Sequence, residues 1–284
     1  MLSTLSQILT DAYKGGYAVG AFNCLSLENV RGAIAAAEAL RSPIILELAE
    51  VQFECAPPEH MAPIFLRAAK DVTVPVCVHL DHGQSFETCA RAIKLGFNSV
   101  MIDSSQLPFE ENVRVTSEVT HMAHAFGVDV EAELGTVGTV GVETDDTAHK
   151  AAGDIFTNVD QSAEFVQRTG IQALAVAIGN MHGKYVSTPH LNIGRLKEIK
   201  QRNAIPLVLH GGSGTSEADF KACVHNGICK INVATALQLA VTERVRQYVK
   251  RDDANYIDMK AEMVNATREA VEWHMRLFES AGRA

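Results

Sequence analysis

The sequence lacks any cluster of basic residues. Its 25 Lys and Arg face 34 Asp and Glu, which gives a formal net charge of −9 over 284 residues. Nucleic acids and anionic membranes both bind to basic faces, so we expect neither as a partner. An anionic substrate would therefore have to be held by a metal ion, by backbone N–H groups or by a single lysine.

Long apolar runs and paired cysteines are also missing. No apolar stretch reaches the roughly 18 residues of a membrane helix, and the first residues do not resemble a secretory leader. We therefore expect a cytoplasmic protein. The cysteines form no CxxC pair, and we interpret them as small buried thiols in a reducing compartment. They are Cys24, Cys55, Cys77, Cys89, Cys223 and Cys229.

Short apolar runs alternate with longer amphipathic segments along the whole chain. The strand candidates are Tyr17–Asn23, Pro43–Ala49, Val74–Asp81, Ser99–Asp103, Asp129–Leu134, Ala173–Gly179, Pro206–His210 and Lys230–Val233. The helix candidates are Leu27–Leu40, Glu59–Lys70, Phe86–Leu95, Glu110–Phe126, Gln161–Arg168, Ile193–Arg202, Glu217–His225 and Thr235–Lys250.

Eight continuously apolar strands, each followed by a helix, predict an α/β fold in which a parallel sheet closes into a (β/α)₈ TIM barrel. We expect one domain over residues 1–284. Asn255–Phe278 is an extra C-terminal helical tail outside the eightfold pattern and could pack against a second subunit.

Three histidines stand at predicted strand ends, each followed by glycine: His82, His182 and His210. The active sites of TIM barrels lie at the C-terminal ends of the strands, so these side chains should meet at one rim. Three neutral imidazoles with an open fourth position form a catalytic zinc site, although cobalt or iron(II) fits the same donors.

Carboxylates accompany the histidines at this rim. A regular strand sends Asp81 and His82 to opposite faces, so both reach the site only if the strand ends at about Asp81 and the chain turns. Asp81 would then be an acid or base, or else would orient a ligand. His79 shares its side and should support the site, whereas Asp103 and Glu133 could orient a ligand or bind a second metal position.

Two loops are suited to phosphate, Gly211–Gly214 and Asn232–Thr235. They follow the seventh and eighth strands, where TIM barrels often bind phosphate. A further long, polar, glycine-rich connection at residues 135–153 is typical of a lid or a disordered segment.

Six motifs in this order resemble the class II fructose-bisphosphate aldolases, and in particular the tagatose-bisphosphate aldolases. The motifs are Val78–Gly83, Ser99–Ser105, Val130–Gly135, Ala177–Gly183, Leu207–Gly214 and Lys230–Thr235. The similarity extends over nearly the whole chain. It implies zinc at His82, His182 and His210, with an alternate metal position at Asp103 and Glu133.

The resemblance also implies the roles of other residues. Asp81 corresponds to the catalytic acid, and Glu143 in the lid is the candidate for exchanging the carbon-bound proton. The positions that would hold dihydroxyacetone phosphate are Gly183, Gly211, Gly212, Ser213, Asn232, Val233, Ala234 and Thr235. A monovalent cation such as Na⁺ assists phosphate binding in this family, whose members are usually homodimers or homotetramers.

The implied reaction is reversible cleavage of tagatose or fructose 1,6-bisphosphate to dihydroxyacetone phosphate and glyceraldehyde 3-phosphate through a metal-stabilised enediolate. One departure from the family is Leu46–Glu50, where many relatives carry a serine that helps to bind the aldehyde's phosphate. A carboxylate there would repel a second phosphate, which favours an alternative aldolase that cleaves a ketose 1-phosphate to a non-phosphorylated aldehyde.

Two further alternatives have no lyase activity. A non-catalytic sugar-phosphate-binding barrel subunit needs no triad of histidines, and a phosphate-binding isomerase barrel gives the histidines no role.

Overall fold

The computed structural model describes residues 1–139, 156–183 and 190–284. The strands are β1 (Val19–Asn23), β2 (Ile44–Ala49), β3 (Val76–Gly83), β4 (Ser99–Ile102), β5 (Asp129–Leu134), β6 (Gly138–Thr139), β7 (Ala173–Val176), β8 (Met181–His182), β9 (Leu207–Leu209) and β10 (Ile228–Val233). The α-helices of the described ranges are α1 (Leu5–Gly15), α2 (Leu27–Leu40), α3 (Pro58–Lys70), α4 (Phe86–Leu95), α5 (Phe109–Ala125), α6 (Val159–Thr169), α7 (Ile193–Arg202), α8 (Glu217–His225), α9 (Thr235–Tyr248) and α10 (Tyr256–Leu277).

Eight parallel strands close into a barrel in the order β1-β10-β9-β7-β5-β4-β3-β2. Closure occurs where β1 pairs with both β10 and β2, with Val19 opposite Lys230 and Ala21 opposite Ile45. Each barrel strand is followed by a helix, which confirms the expected (β/α)₈ architecture. None of the described helices is long and apolar enough to cross a membrane.

Four barrel strands have a bound that differs from expectation by two residues or more. The first begins at Val19 rather than Tyr17, and the third spans Val76–Gly83 rather than Val74–Asp81. The sixth barrel strand ends at Val176 rather than Gly179, and the eighth begins at Ile228 rather than Lys230. Two short strands, β6 and β8, were not expected; they pair in parallel outside the barrel, with Thr139 opposite His182.

The interior of the barrel is layered along the strands. Ile45 and Cys77 belong to an apolar cluster in the lower part of the barrel. Glu47 and His79, one alternation further along β2 and β3, are fully buried above them. Asp81 comes next, near the upper rim. The strands therefore present apolar, then polar, then candidate catalytic side chains as they rise.

Helix α1 was not expected from the strand–helix alternation, and it packs under the barrel. Thr4 and Gln7 form a capping box at its start, and its Leu5 and Leu9 side chains are fully buried in the lower apolar cluster. The segment before it joins the lower edge, where Ser3 N donates to the Val76 carbonyl at 2.9 Å. α1 thus closes the end of the barrel opposite the candidate site.

The expected C-terminal tail is helix α10, and it packs on α2 of its own chain. Gly32 of α2 permits the close approach: a Cβ at this position would lie 2.5 Å from the Val264 carbonyl oxygen and 2.6 Å from Thr267 Cβ. Val271 and Met275 of α10 are fully buried in the main core.

All six cysteines are free, as expected. Five of them are buried, but Cys55 is exposed, so the interpretation of the whole set as buried thiols was wrong for this residue. It lies in a turn after β2, where its thiol donates to the Gln52 carbonyl.

Candidate active site

Three histidine side chains from separate segments meet at the C-terminal rim of the barrel. His82 lies in β3, His182 in β8, and His210 directly follows β9. One ring nitrogen of each lies within 4.8 Å of the others. His82 Nε2 is 2.7 Å from His210 Nδ1. His210 is fully buried and the other two are half-buried, so the cluster opens on one side only.

The backbone at His82 explains how two consecutive side chains face the same site. His82 has φ of 43°, in the left-handed region that is costly for a residue with a Cβ. The pairing of β3 with β4 shifts register between Leu80 and Gly83. The expectation that the strand ends at Asp81 was wrong: β3 continues to Gly83 through this irregularity. Asp81 Oδ1 consequently lies 3.9 Å from His82 Nε2.

Carboxylates orient two of the imidazoles. His82 Nδ1 donates to Asp103 Oδ2 at 2.7 Å, and Asp103 Oδ1 accepts from Ser105 Oγ at 2.7 Å. His210 Nε2 donates to Glu131 Oε1 at 2.8 Å. These bonds fix the tautomers and leave His82 Nε2 and His210 Nδ1 directed at each other. In this arrangement Asp103 holds a histidine, one of the two roles expected for it.

The protonation states follow from burial and from neighbouring charge. Burial acts to lower the pKa of His82, but the charges of Asp81 and Asp103 outweigh it and raise that pKa to about 10. Burial and the charge on His82 lower the pKa of His182 to about 4 and that of His210 well below its usual value. His182 and His210 are therefore neutral and able to ligate. A divalent cation would replace the proton on His82.

A second possible metal position shares His82 and adds Asp103 and Glu133, whose ligand atoms also lie within 4.8 Å of one another. Burial and the nearby Asp103 charge raise the pKa of Glu133 to about 8. Its Oε1 accepts from Val137 N at 3.1 Å, whereas its buried Oε2 has no hydrogen-bond partner among the described residues. A cation at this position would satisfy that oxygen.

The donor set fits a metal ion. Three imidazole nitrogens face one point, and carboxylates hydrogen-bond the far ring nitrogens of two of them. The carboxylate of Asp81 lies next to the cluster and is not required as a ligand. Imidazole suits zinc and its transition-metal neighbours better than it suits magnesium or calcium.

Asp81 is nearly fully buried, yet it remains a carboxylate. Its Oδ2 accepts from Asn23 Nδ2 and its Oδ1 from Asn232 Nδ2, both at 2.9 Å. Burial acts to raise the pKa of Asp81, but the positive charges on His82 and Lys230 and the amide of Asn23 hold it below its usual value.

Sequence reasoning missed Asn23. It stands at the C-terminal end of the apolar strand β1 and is buried. A polar residue ending an apolar strand is the same signal that identified the histidines, and it could have been applied here.

The two loops expected to bind phosphate lie on neighbouring segments. Gly211 has φ of 66°, and a Cβ there would overlap the Met181 carbonyl, so only glycine allows the Gly211–Gly214 loop to pack against β8. Ser213 Oγ accepts from Ala236 N at 3.0 Å, which places it against the first turn of α9. Ala234 precedes that helix and provides no side-chain cap. The N-terminus of α9 is thus suited to an anion.

The other residues expected to bind substrate end or follow strands at the same rim; they are Gly183, Gly212, Asn232, Val233 and Thr235. Glu143, the candidate lid residue, lies outside the described residues.

Comparison with known proteins identifies the family. A family model described as "Fructose-bisphosphate aldolase class-II" matches residues 3–283. The chain is 41% identical over 290 residues to a fructose-bisphosphate aldolase of Geobacillus stearothermophilus, covering 100% of this chain and 99% of the relative. It is 42% identical over 288 residues to a probable fructose-bisphosphate aldolase of Bacillus subtilis, with the same coverage of the two chains.

Solved structures agree with this assignment. The YdjI aldolase of Escherichia coli K12 superposes with a TM-score of 0.90 at 38% identity over 100% of both chains. A putative fructose-1,6-bisphosphate aldolase from Coccidioides immitis gives 0.88 at 32% identity, covering 98% of this chain and 97% of that one. The chain is therefore an aldolase, a lyase that belongs to the class II fructose-bisphosphate aldolase family.

Proposed function

We propose that this aldolase is zinc-dependent and cleaves tagatose or fructose 1,6-bisphosphate to dihydroxyacetone phosphate and glyceraldehyde 3-phosphate. The observation that carries the proposal is the meeting of His82, His182 and His210 beside the carboxylate of Asp81. A non-catalytic binding subunit or an isomerase barrel leaves this combination without a use.

Asp81 carries out the proton transfer. In cleavage its carboxylate removes the proton of the C4 hydroxyl as the C4 carbonyl forms and the C3–C4 bond breaks. The electron pair of that bond passes to the enediolate of dihydroxyacetone phosphate. In condensation the same carboxyl group returns the proton to the new alkoxide. A zinc ion held by the three histidines would supply positive charge that stabilises the negative charge developing on the substrate.

The surroundings of Asp81 suit it to this task. The amides of Asn23 and Asn232 hold both carboxylate oxygens, so the group is fixed in position and deprotonated at neutral pH. It is buried, and water therefore competes little for the proton.

The remaining roles complete the proposal. The phosphate of dihydroxyacetone phosphate binds between the Gly211–Ser213 loop and the N-terminus of α9, assisted by a monovalent cation such as Na⁺. Glu143 exchanges the proton on C3 of the enediolate. The active protein is a homodimer or homotetramer.

The test is a cleavage assay that detects released dihydroxyacetone phosphate. Purified protein is given tagatose 1,6-bisphosphate or fructose 1,6-bisphosphate, before and after chelation and after zinc is restored. We expect about one zinc per chain, loss of turnover on chelation and its return with zinc. Full turnover by metal-free protein contradicts the proposal, and so does unchanged kcat in Asp81→Asn.

One observation favours a second candidate substrate. Ala49 is paired with Asp81, and Glu50 follows at the rim. Glu50 Oε2 accepts from the backbone N–H of Gln84 at 2.6 Å, and Oε1 accepts from Thr88 Oγ1 at 2.9 Å. A fixed carboxylate thus occupies donors at the start of α4 that could otherwise meet an anion. A ketose 1-phosphate, cleaved to an uncharged aldehyde, avoids the repulsion.

Glu50→Ser distinguishes the two substrates. If Glu50 repels the second phosphate, the variant gains kcat/KM for the bisphosphates by about tenfold or more, because two like charges a few ångströms apart cost on the order of several kcal/mol. The kcat/KM for a ketose 1-phosphate stays unchanged. Equal effects on both classes of substrate exclude a selective role for Glu50.

A further inference from the structure

A layer of ionisable side chains lies inside the barrel directly below Asp81, and the proposed mechanism assigns no role to its members, although Glu131 orients His210. Its members are Glu47, His79, Glu131 and Lys230, all fully buried. The interior of a TIM barrel is usually filled by bulky apolar side chains, and removing charges from water is costly. A lysine in this position therefore calls for a reason beyond packing.

Lys230 contacts both halves of the candidate site. Its Nζ donates to Asn232 Oδ1 at 2.7 Å and to Glu131 Oε1 at 3.2 Å. It also forms ion pairs with Glu131 Oε2 at 2.9 Å and with Glu47 Oε2 at 3.6 Å. Burial acts to lower the pKa of Lys230, but the charges of Glu131 and Glu47 outweigh it, so the ammonium stays protonated. A lysine ammonium can only donate, so every group within hydrogen-bond distance of it must accept.

This restriction determines which way the Asn232 amide faces. Because Oδ1 accepts from Lys230, Nδ2 must face the other way, and it donates to Asp81 Oδ1 at 2.9 Å. The two ends of an asparagine amide have almost the same shape. Without Lys230, packing alone would not select the orientation in which Asn232 Nδ2 donates to Asp81. The flipped orientation would place Asn232 Oδ1 against the carboxylate oxygen of Asp81.

We propose that Lys230 is a positioning residue for the aldolase reaction: it fixes the orientation of the Asn232 amide and thereby holds Asp81 in place. The hydrogen-bonded link from Lys230 to Asp81 runs through Asn232, so a positioning effect on turnover should require that side chain, whereas the charge of Lys230 also acts on Asp81 directly. Because it acts through Asp81, this role rests on the function proposed above.

A double-mutant cycle tests the coupling. Zinc-loaded wild type, Lys230→Met, Asn232→Ala and the double variant are compared by steady-state kinetics. We expect Lys230→Met to lower kcat by about tenfold or more with KM changed less than about threefold, because the lysine does not touch substrate. We expect the double variant to match Asn232→Ala within about threefold. Losses that multiply in the double variant overturn the proposal.

Folding is controlled separately, because Lys230→Met leaves two buried carboxylates without a counter-charge. The cycle is repeated in a Glu47→Gln background, which replaces one of them by an amide of similar shape. Thermal unfolding and zinc content are measured for every variant. A loss of kcat that follows the loss of folded protein or bound zinc, with no coupling to Asn232, also overturns the proposal.

Asp81→Asn separates this role from the proposed function. If Asp81→Asn keeps wild-type kcat, the catalytic assignment has failed. If Asp81→Asn is inactive and the cycle is multiplicative, only the role of Lys230 has failed.

Discussion

Asp81 combines burial with a negative charge, and single neighbouring residues decide the balance. Burial favours the neutral acid, whereas the charges on His82 and Lys230 and the Asn23 amide favour the carboxylate. The amide hydrogen bonds also fix the direction of both oxygens. At the scale of the residue, the site therefore depends on side chains that do not themselves react.

Asn23→Ala should lower kcat/KM by about 10- to 100-fold, because a hydrogen bond to a charged group contributes roughly 1.5–3 kcal/mol. Zinc content should stay at the wild-type level, since Asn23 contacts Asp81 and no histidine of the cluster. Asn29→Ala is the matched control: Asn29 Nδ2 bonds Thr267 Oγ1 of α10 and not a side chain of the candidate site. Equal kinetic losses in the two variants would show a general effect of removing an amide.

His274 predicts how stability depends on pH. It lies among aromatic rings on α10, and burial lowers its pKa from 6.5 to about 4. Between pH 6.5 and pH 4, His274 is protonated in the unfolded chain and neutral in the folded chain. The free energy of unfolding therefore falls as pH falls from 6.5 towards 4. At pH 5 the loss is about 2 kcal/mol, at 1.36 kcal/mol per pH unit.

His274→Gln should therefore reduce the difference in unfolding free energy between pH 7 and pH 5 by about 2 kcal/mol in urea titrations. The histidines of the candidate metal site are common to both proteins, so their titration cancels in the comparison. His121→Gln removes an exposed histidine instead and should keep the wild-type slope. A slope in His274→Gln equal to that of the wild type contradicts the assignment.

At the scale of the element, the sequence specified the periodic features of the fold and not the exceptions to them. The barrel strands were predicted to within about three residues because each is a short run rich in buried apolar residues, which is typical of a parallel sheet. The irregularity at His82 was not predictable, because a positive φ at a histidine depends on pairing with β4.

Helix α1 had a readable signal that was not used. Leu5, Ile8, Leu9 and Ala12 form a helical stripe after the Thr4 capping box. The alternation of strands and helices does not specify what covers the lower end of a barrel. The apolar stripe and the capping box are therefore the features of the sequence that predict α1.

The contact between α2 and α10 yields a prediction for a single glycine. Gly32→Ala should destabilise the protein by about 1–3 kcal/mol, because its Cβ would meet the Val264 carbonyl of a rigid helix. Gly194→Ala, in the exposed first turn of α7, is the control, with only Asn192 Oδ1 nearby, at 3.4 Å. It should be neutral or stabilising by about 0.5–1 kcal/mol.

Urea unfolding of both glycine variants measures the contrast. Both variants gain the same intrinsic helix propensity from the change of Gly to Ala. In Gly32→Ala this gain acts against the expected loss of stability. If Gly32→Ala is as stable as Gly194→Ala, α10 does not pack on α2 this closely.

At the scale of the whole molecule, the candidate metal site is a product of barrel closure. His82 and His210 are 128 residues apart in sequence, yet their ring nitrogens are 2.7 Å apart. The sequence showed that both belong at the rim, because each stands at the end of an apolar strand. Which nitrogen faces inward could not be predicted, because Asp103 and Glu131 decide it from other strands.

A metal ion bound at this site links segments from distant parts of the chain, so its binding should be visible as global stability. The unfolded chain does not bring the three histidines together, so a zinc ion held by them would bind the folded state preferentially. Free zinc at 100 times its Kd should stabilise the protein by about 2.7 kcal/mol, which raises Tm by on the order of 5 °C. A chelator should remove the whole increment.

His182→Ala removes one of the three donors and should abolish most of this zinc-dependent shift while leaving the metal-free Tm nearly unchanged, because the side chain is half-buried at the rim. His190→Ala, an exposed histidine later in the same connection, should keep the full shift. The measurement is thermal unfolding over a series of buffered free-zinc concentrations. A wild-type zinc response in His182→Ala means that the ion is held by another set of donors, such as His82, Asp103 and Glu133. Asp103→Asn then separates the two positions: it should remove the response if that carboxylate is a ligand, and only weaken it if Asp103 orients His82.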